Sequence, residues 1–564
     1  MNAYKYLLTF VLAALLGGCC CSHTHNTAPK ESKGSGAPRI VNIINFIRQT
    51  EPRSDEDTDE VLYQTTAEQV KIMTRYDLKG TFLLQYDALI NPQYQALMKE
   101  ELARGSEVGA WWEITQPHVE AVGLKWRGRY PWDWHANVGF ATGYTPKERE
   151  MLVDEYMGKF KEIFGFYPAS VGSWFIDAHS LAYMSDKYHI IASCTCKDQI
   201  GTDGYTMWGG YWGGGYYASR KNAYMPAQTR EGQIPVPIFR MLGSDPIYQY
   251  ESGLGGQTQG VVSLEPVYWE GGGSQEWVDW FFEKMFDDPC LGYTYTQAGQ
   301  ENSFTWGKMK QGYEIQMPSL AKLKTEGKIR IETLAESGTW FRKLYPVNPA
   351  TAQSALTDHK KQEKKTVWFN SRFYRANLLW EGSNLTIRDI HLFNEDFASD
   401  YIDKAGTSTQ CIYTTLPFVD GFVWSSAEKR AGLRLYSMDS YGKHTLLQGK
   451  TPVITSGNKT LQVEWQTLDE QATFVFTFTE GEMIVVCKAK DPSFQWNMEL
   501  TTAPGAPLPF LHIDSQTIQA LYKDFPYQIT CKQGNCIDTR KPGQDTALRL
   551  EPKDQTITLG FKTK

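Results

Sequence analysis

The sequence predicts a parallel α/β barrel of seven or eight irregular units followed by an all-β sandwich. Three observations predict it. Apolar runs of strand length alternate with helical periods between residues 39 and 345, several of these runs end on a carboxylate, and after residue 365 the apolar period becomes two. At 564 residues the chain exceeds what a single core organises, so two or three domains are expected.

The strand-and-helix alternation can be followed in order. Arg39 to Ile47 (RIVNIINFI) is the first strand, with Arg48, Gln49, Glu51 and Arg53 on its exit. A helix starting at Thr66, where Gln69 completes a capping-box pattern, carries Val70 and Met73 and stops near Gly80. TFLLQYD delivers Gln85 and Asp87, and Asn91-Pro92 opens a helix that buries Tyr94, Leu97, Met98 and Leu102. The stretch Ser106 to His118 (SEVGAWWEITQPH) then reads as a buried strand ending on Glu113. Successive parallel strands with helical crossovers place these ends on one rim.

Trp126 to His135 (WRGRYPWDWH) is an aromatic loop carrying Asp133, Trp134 and His135. Thr145-Pro146-x-Glu148 opens a capped helix, after which SVGSWFIDAH carries Trp174 and delivers Asp177 and His179. A short helix from Leu181 to Tyr188 leads to HIIASCTCKDQIG, which ends near Asp198. Gly204 to Tyr217 (GYTMWGGYWGGGYY) combines glycine density with Trp208 and Trp212. It reads either as a stacking surface for a ligand or as a rigid aromatic loop packed on the barrel. Pro235 to Leu242 is a strand; Glu265 and Trp269 precede a helix from Ser274 to Phe286, and Glu301 follows the strand in LGYTYTQAGQENSFTW. A helix near Ser319 to Thr325 and a last strand IRIETLAES complete the region.

Residues 346 to 365 are polar and read as a linker or a long surface helix, and residues 366 to 564 as the sandwich. Its strand candidates include Asn384 to Phe393, Leu433 to Tyr436 and Leu461 to Trp465. Thr473 to Thr479 pairs with Met483 to Cys487 around the Glu480-Gly481 turn.

Residues 1 to 18 have the length and composition of a signal peptide. Leu16-Gly17-Gly18-Cys19 resembles a bacterial lipobox, which implies cleavage before Cys19, lipidation of that residue, and residues 19 to 38 as a flexible tether to the outer membrane, facing periplasm or cell surface. Export makes disulfides permissible, and Cys531 and Cys536 could staple a hairpin. The Cys194-x-Cys196 pair reads as buried thiols rather than half of a zinc site. With a formal charge of -7 and no basic block, the chain gives no support for nucleic-acid binding. Its 18 Trp, 31 Tyr and 27 Phe suit sugar faces.

RGSEVGAWWE together with FGFYPASVGSWFIDAHS is similar to the polysaccharide-deacetylase-like superfamily and the related seven-stranded-barrel glycoside hydrolases. More narrowly, the chain resembles the exported two-domain proteins of gut Bacteroides grouped as domains of unknown function. The resemblance implies a (β/α)7 barrel with an all-β domain behind it. It also shows where the sequence departs from a zinc deacetylase: the ligand histidines of that family fall at Trp111 and Thr115, and Phe46-Ile47-Arg48-Gln49 replaces its paired acids.

In the hydrolase branch two carboxyl groups flank the scissile bond, one protonated and one ionised. Glu113, Asp177 and Glu301 are the catalytic candidates, with no metal ligand assigned and no cofactor expected. Glu113 is either a general acid raised by its Trp111-Trp112 flank or the partner of Arg48 or Arg53; Asp177 is either nucleophile and base or a helix cap. Trp111, Trp112, His118, Trp134, His135, Trp174, His179, Asp198, Trp208, Trp212, Glu265 and Trp269 are the expected substrate contacts. The expectation is a glycoside hydrolase acting on polysaccharide or host glycan. A carbohydrate deacetylase or esterase using a divalent metal and a silent glycan-binding lipoprotein are the alternatives, and the sequence does not fix oligomeric state.

Overall fold

The structure is a computed structural model that describes residues 36–541 and 545–562. The expected signal peptide, Cys19 and nearly all of the expected tether lie outside the described residues. Among the described residues, no helix is long and apolar enough to cross a membrane.

The N-terminal region alternates as expected. It runs β1 (Arg39–Ile47), α1 (Asp59–Arg75), β2 (Thr81–Leu84), α2 (Tyr86–Ile90), α3 (Pro92–Ala103), β3 (Glu107–Trp111), α4 (Gln116–Ala121), α5 (Pro146–Phe164), β4 (Ser170–Gly172), α6 (Ala178–Tyr188) and β5 (Ala192–Thr195). Two hairpins follow, β6 (Gln199–Thr202) with β7 (Tyr205–Trp208) and β8 (Gly215–Ser219) with β9 (Asn222–Pro226). Then come β10 (Gln233–Arg240), α7 (Gln275–Phe286), β11 (Cys290–Leu291), β12 (Thr294–Ala298), α8 (Trp306–Thr325), β13 (Arg330–Glu332) and α9 (Leu334–Leu344).

Parallel hydrogen-bonded strands follow one another in the order β12, β1, β2, β3, β4, β5 and β10, an α/β-barrel-like wall. Side chains bridge the seam between β10 and β12. The Leu242 N–H donates to Gln297 Oε1 at 2.7 Å, and the Phe239 and Tyr295 rings lie 4.8 Å apart. The period of two on β1 sends Ile40, Ile44 and Phe46 to the barrel interior and Val41, Ile43 and Ile47 to the helix layer. Gly172 makes room for the interior indole of Trp111: a Cβ there would stand 2.5 Å from Leu83 and 3.2 Å from Trp111.

Several local boundaries differ from the sequence reading. α1 begins two turns earlier than Thr66, because Thr58 caps it by accepting the Val61 N–H. The helix expected at Ser319 is the end of α8, which continues through Pro318. IRIETLAES is divided, since Thr333 and Glu336 form a capping box that ends β13 and starts α9. The expected linker also contains β14 (Thr351–Ala355) and the start of β15 (Lys364–Asn370), and β14 pairs with β11 as well as β15.

The C-terminal region is largely antiparallel sheet, consistent with a sandwich. One sheet contains β14, β15, β16 (Tyr374–Glu381), β17 (Asn384–Leu392) and later strands; another is built around the expected hairpin, with Phe476 opposite Val485. Cys531 and Cys536 are free thiols rather than a disulfide, and Cys531 Sγ lies 3.3 Å from the Gln533 carbonyl.

The glycine-rich segment joins the two regions. Trp212 stacks on Trp368 of β15 at 3.8 Å, and Trp208 donates from Nε1 to Asp420 Oδ2 at 2.8 Å. Asp198 accepts from Arg240 at 2.9 Å and from Arg375 of β16, which also grips Asp389 through two 2.8 Å bonds. Burial alone would raise the Asp198 carboxyl; Arg375 and Arg240 outweigh it and hold the group below the usual carboxylate range. Gly209, at φ +88°, allows the chain past His391, where a Cβ would stand 2.2 Å from Nδ1.

Candidate active site

Arg48 leaves the end of β1 and becomes the centre of a charged cluster at the C-terminal rim. Its Nε donates to Glu113 Oε2 at 2.9 Å and its Nη2 to Glu113 Oε1 at 2.6 Å, a two-pronged pair between the exits of β1 and β3. Gln85, at the exit of β2, donates to Glu113 Oε2 at 2.6 Å. From the exit of β12, Glu301 Oε2 lies 3.0 Å from Arg48 Nη1 without hydrogen-bond alignment, and Asn302 clamps the Arg48 backbone by accepting its N–H at 3.0 Å. Glu51 stands 3.6 Å from Arg48 and pairs with Arg53 at 2.6 Å. The Arg48 guanidinium lies 4.0 Å over the Trp132 ring.

This arrangement treats the carboxyl groups unequally. Burial pushes the Glu301 carboxyl up to about 7, with Arg48 and Arg53 opposing the rise. Burial also raises Glu51, but Arg53 and Arg48 outweigh it and hold that group below its ordinary value. The Arg48 guanidinium is driven upward because Glu113 and Glu301 overcome the effect of its burial. Asp87, after β2, is pushed up to about 7 by burial and has one carboxyl oxygen without a hydrogen-bond partner among the described residues.

A pocket of about 20 Å³ opens beside this cluster, lined by Arg48, Arg53, Trp132, Trp134, Trp174, Asp203, Tyr205 and Glu301 among others. Loop 126–135 supplies one wall. Asp133 holds it by accepting from Arg129 Nη2 at 2.8 Å and from the His135 N–H at 3.2 Å, and Trp134 stacks on Tyr130 at 5.8 Å. The β6–β7 hairpin supplies the other wall through Asp203 and Tyr205. Glu301 is therefore a buried acid, and Asp203 a largely exposed one, on a single aromatic-lined pocket.

The structure brings together Glu113, Glu301, Trp134 and Trp174 from the residues singled out by sequence. Glu113 takes the ion-pair alternative, with Arg48 as its partner. Trp111 faces the barrel interior, stacked on Phe46 at 4.3 Å, whereas Trp112 and His118 lie in the helix layer. His118 stacks on Tyr86 at 4.4 Å, places Nε2 2.8 Å from the Leu152 carbonyl, and is lowered to about 4 by burial. Trp208 and Trp212 are only 2% and 6% exposed, so the segment expected to offer a stacking surface is packed between sheets instead. Asp198 is likewise committed to Arg240 and Arg375. None of Trp111, Trp112, His118, Asp198, Trp208 and Trp212, expected as substrate contacts, lines the Glu301 pocket.

Others are placed nearby or elsewhere. Glu265 accepts from Ser263 at 2.6 Å and from Gln300, the neighbour of Glu301, at 2.8 Å. His135 is 3.8 Å from Asp133, and His179 pairs with Glu150 at 3.1 Å. Trp269 is 77% exposed. Asp177 caps α6, accepting the Ser180 N–H at 2.8 Å, and pairs with buried Arg149 at 2.9 Å. Asp177→Asn is therefore expected to cost about 3–5 kcal/mol by stranding Arg149, a loss measurable as a lower urea midpoint. An unchanged midpoint would reject this structural role.

Asp203, Tyr205 and the central position of Arg48 were not singled out by sequence. The available signal for Asp203 was its Asp-Gly turn between two short strands, a hairpin cue rather than a chemical one.

The chain is similar to a Parabacteroides distasonis protein described provisionally as a glycoside hydrolase/deacetylase, at 17% identity over 67% of this chain and 90% of that one, with a TM-score of 0.52. A Mycobacterium smegmatis protein described provisionally as a polysaccharide deacetylase aligns at 10% identity over 56% of this chain and 95% of that one, with a TM-score of 0.35. No family model and no curated protein matches the chain.

A deacetylase metal does not fit the residues at this rim. Trp111 occupies the barrel interior, Thr115 is buried, and both Glu113 oxygens are engaged by Arg48. Among the described residues, no group of three or more His, Cys, Asp and Glu is arranged to hold a metal ion.

Proposed function

We propose that this chain is a glycoside hydrolase whose proton donor is Glu301. The observation that supports this reading is a buried carboxyl, pushed up to about 7, opening into a pocket walled by Trp132, Trp134 and Trp174 at the strand exits. A protonated acid at working pH can donate to the departing glycosidic oxygen, and aromatic faces can hold the ring on either side. Asp203 lines the same pocket and is assigned the role of second carboxylate, the one that attacks the anomeric carbon or activates water. Glu113 acts through Arg48: by neutralising part of its charge, it sets how strongly Arg48 opposes protonation of Glu301.

The solved neighbour's description as a glycoside hydrolase/deacetylase supports the hydrolase class. The N-terminal segment is proposed to export the chain and anchor it through Cys19 to the cell envelope, which suits a polysaccharide or host-glycan substrate. In the proposed division of the chain, residues 39–345 hold the chemistry and residues 366–564 brace it.

The test is product release from a glycan panel by protein lacking residues 1–35, with wild type beside Glu301→Gln and Asp203→Asn. Reducing ends released by wild type and lost in both variants are expected. Acetate release without reducing ends would overturn the assignment in favour of deacetylation, and glycan affinity without any product would make the chain a binding protein.

A further inference from the structure

The seam between β10 and β12 contains a second cavity, about 30 Å³, that shares no lining residue with the Glu301 pocket. Its wall is chemically divided. Met241, Phe281 and Met285 form an apolar part, while Lys197, Arg240 and Thr296 contribute cationic and hydroxyl groups.

These polar groups are buried without enough acceptors. Arg240 is 4% exposed; its Nη2 reaches Asp198 at 2.9 Å, but its Nε and Nη1 have no hydrogen-bond partner among the described residues. Thr296 Oγ1 also has none among them. Lys197 is 3% exposed, and its ammonium makes no hydrogen bond or ion pair within the described residues. Glu265 feels the Lys197 charge but gives its two oxygens to Ser263 and Gln300. Asp198, the acidic residue on the wall, is already occupied by Arg240, Arg375, Tyr224 and the Gly209 N–H.

A buried ammonium and a buried guanidinium with free donors, set beside a free hydroxyl, form a complementary surface for negative oxygen. We propose that this seam is an anion-binding site for a small carboxylate or a comparable oxyanion. Lys197 and Arg240 supply the charge-assisted donors, Thr296 a hydroxyl donor, and the apolar wall the seat for any carbon body. The site needs nothing from the Glu301 chemistry and stands or falls independently of it.

The test is thermal denaturation of the full chain titrated with sodium acetate and, separately, sodium sulfate at constant ionic strength, for wild type, Lys197→Gln and Thr296→Val. A general salt effect raises the Tm of all three proteins alike, whereas site binding saturates and depends on the side chains. The expected result is a saturable rise in wild type, with apparent affinity at least tenfold weaker in Lys197→Gln and severalfold weaker in Thr296→Val. Bromide-soaked crystals are expected to show an anomalous peak between Lys197 and Arg240. Equal responses in wild type and both variants, or water alone between those residues in the soaked crystals, would overturn the proposal. Thr296→Val retains both cations and serves if Lys197→Gln does not fold.

Discussion

Glu301→Gln is expected to lower kcat/KM on unactivated glycans by roughly 10²–10⁴-fold, the contribution typical of a positioned general acid. Glutamine keeps the shape but cannot supply the proton, so substrates with an acidic leaving group should lose much less. On the alkaline side the wild-type rate should fall as the pH rises through about 7, where the Glu301 carboxyl ionises. Asp87 is also pushed up to about 7, so Asp87→Asn is the necessary comparison: it should retain the alkaline limb that Glu301→Gln removes. The same limb in both variants would exclude Glu301 as its origin.

The Glu301 substitution also makes a stability prediction of the opposite sign. A carboxyl raised in the folded state costs stability once it must ionise there; the cost is absent below the unfolded value near 4.5 and complete above about 7. Glu301→Gln should therefore stabilise the protein at pH 8 by roughly 1–3 kcal/mol and make little difference at pH 4. Less activity with greater stability at pH 8 would separate a functional acid from a structural one.

Arg48→Met is expected to destabilise the fold by about 3–5 kcal/mol, because it removes the cation that both oxygens of buried Glu113 engage and leaves only Gln85 as a donor there. Glu301 and Glu51 also lose the cation between them, so the effect should be larger at pH 8 than at pH 6, because Glu301 ionises through about 7. Adding Glu113→Gln should recover part of the loss, since the two residues form one interaction and their costs are not additive. Urea midpoints at pH 6 and pH 8 measure both effects. A midpoint unchanged by Arg48→Met would show that the cluster contributes no net stability.

Much of the architecture was legible because secondary structure leaves a local periodic record. RIVNIINFI sends alternate residues to two apolar layers, Thr145-Pro146-x-Glu148 caps its helix, and Glu480-Gly481 turns its hairpin. Glu113 and Glu301 could be picked out as strand-end acids for the same reason. The strand β14 within the expected linker was not legible, because its pairing with β11 reaches back some sixty residues and has no local period to announce it.

The roles of the charged and aromatic residues were decided at longer range. Glu113 and Arg48 are 65 positions apart, and Trp212 meets Trp368 across still more of the chain. Sequence alone determined which segments become strands and helices and which acids stand at strand ends, because backbone geometry and side-chain period are local. Only the tertiary structure decided that Glu113 is paired, that Asp177 caps a helix, that Glu301 opens into an aromatic pocket and that Lys197 and Arg240 line one cavity at the seam. The state of a buried charge depends on water removed and partners supplied by residues distant in the chain.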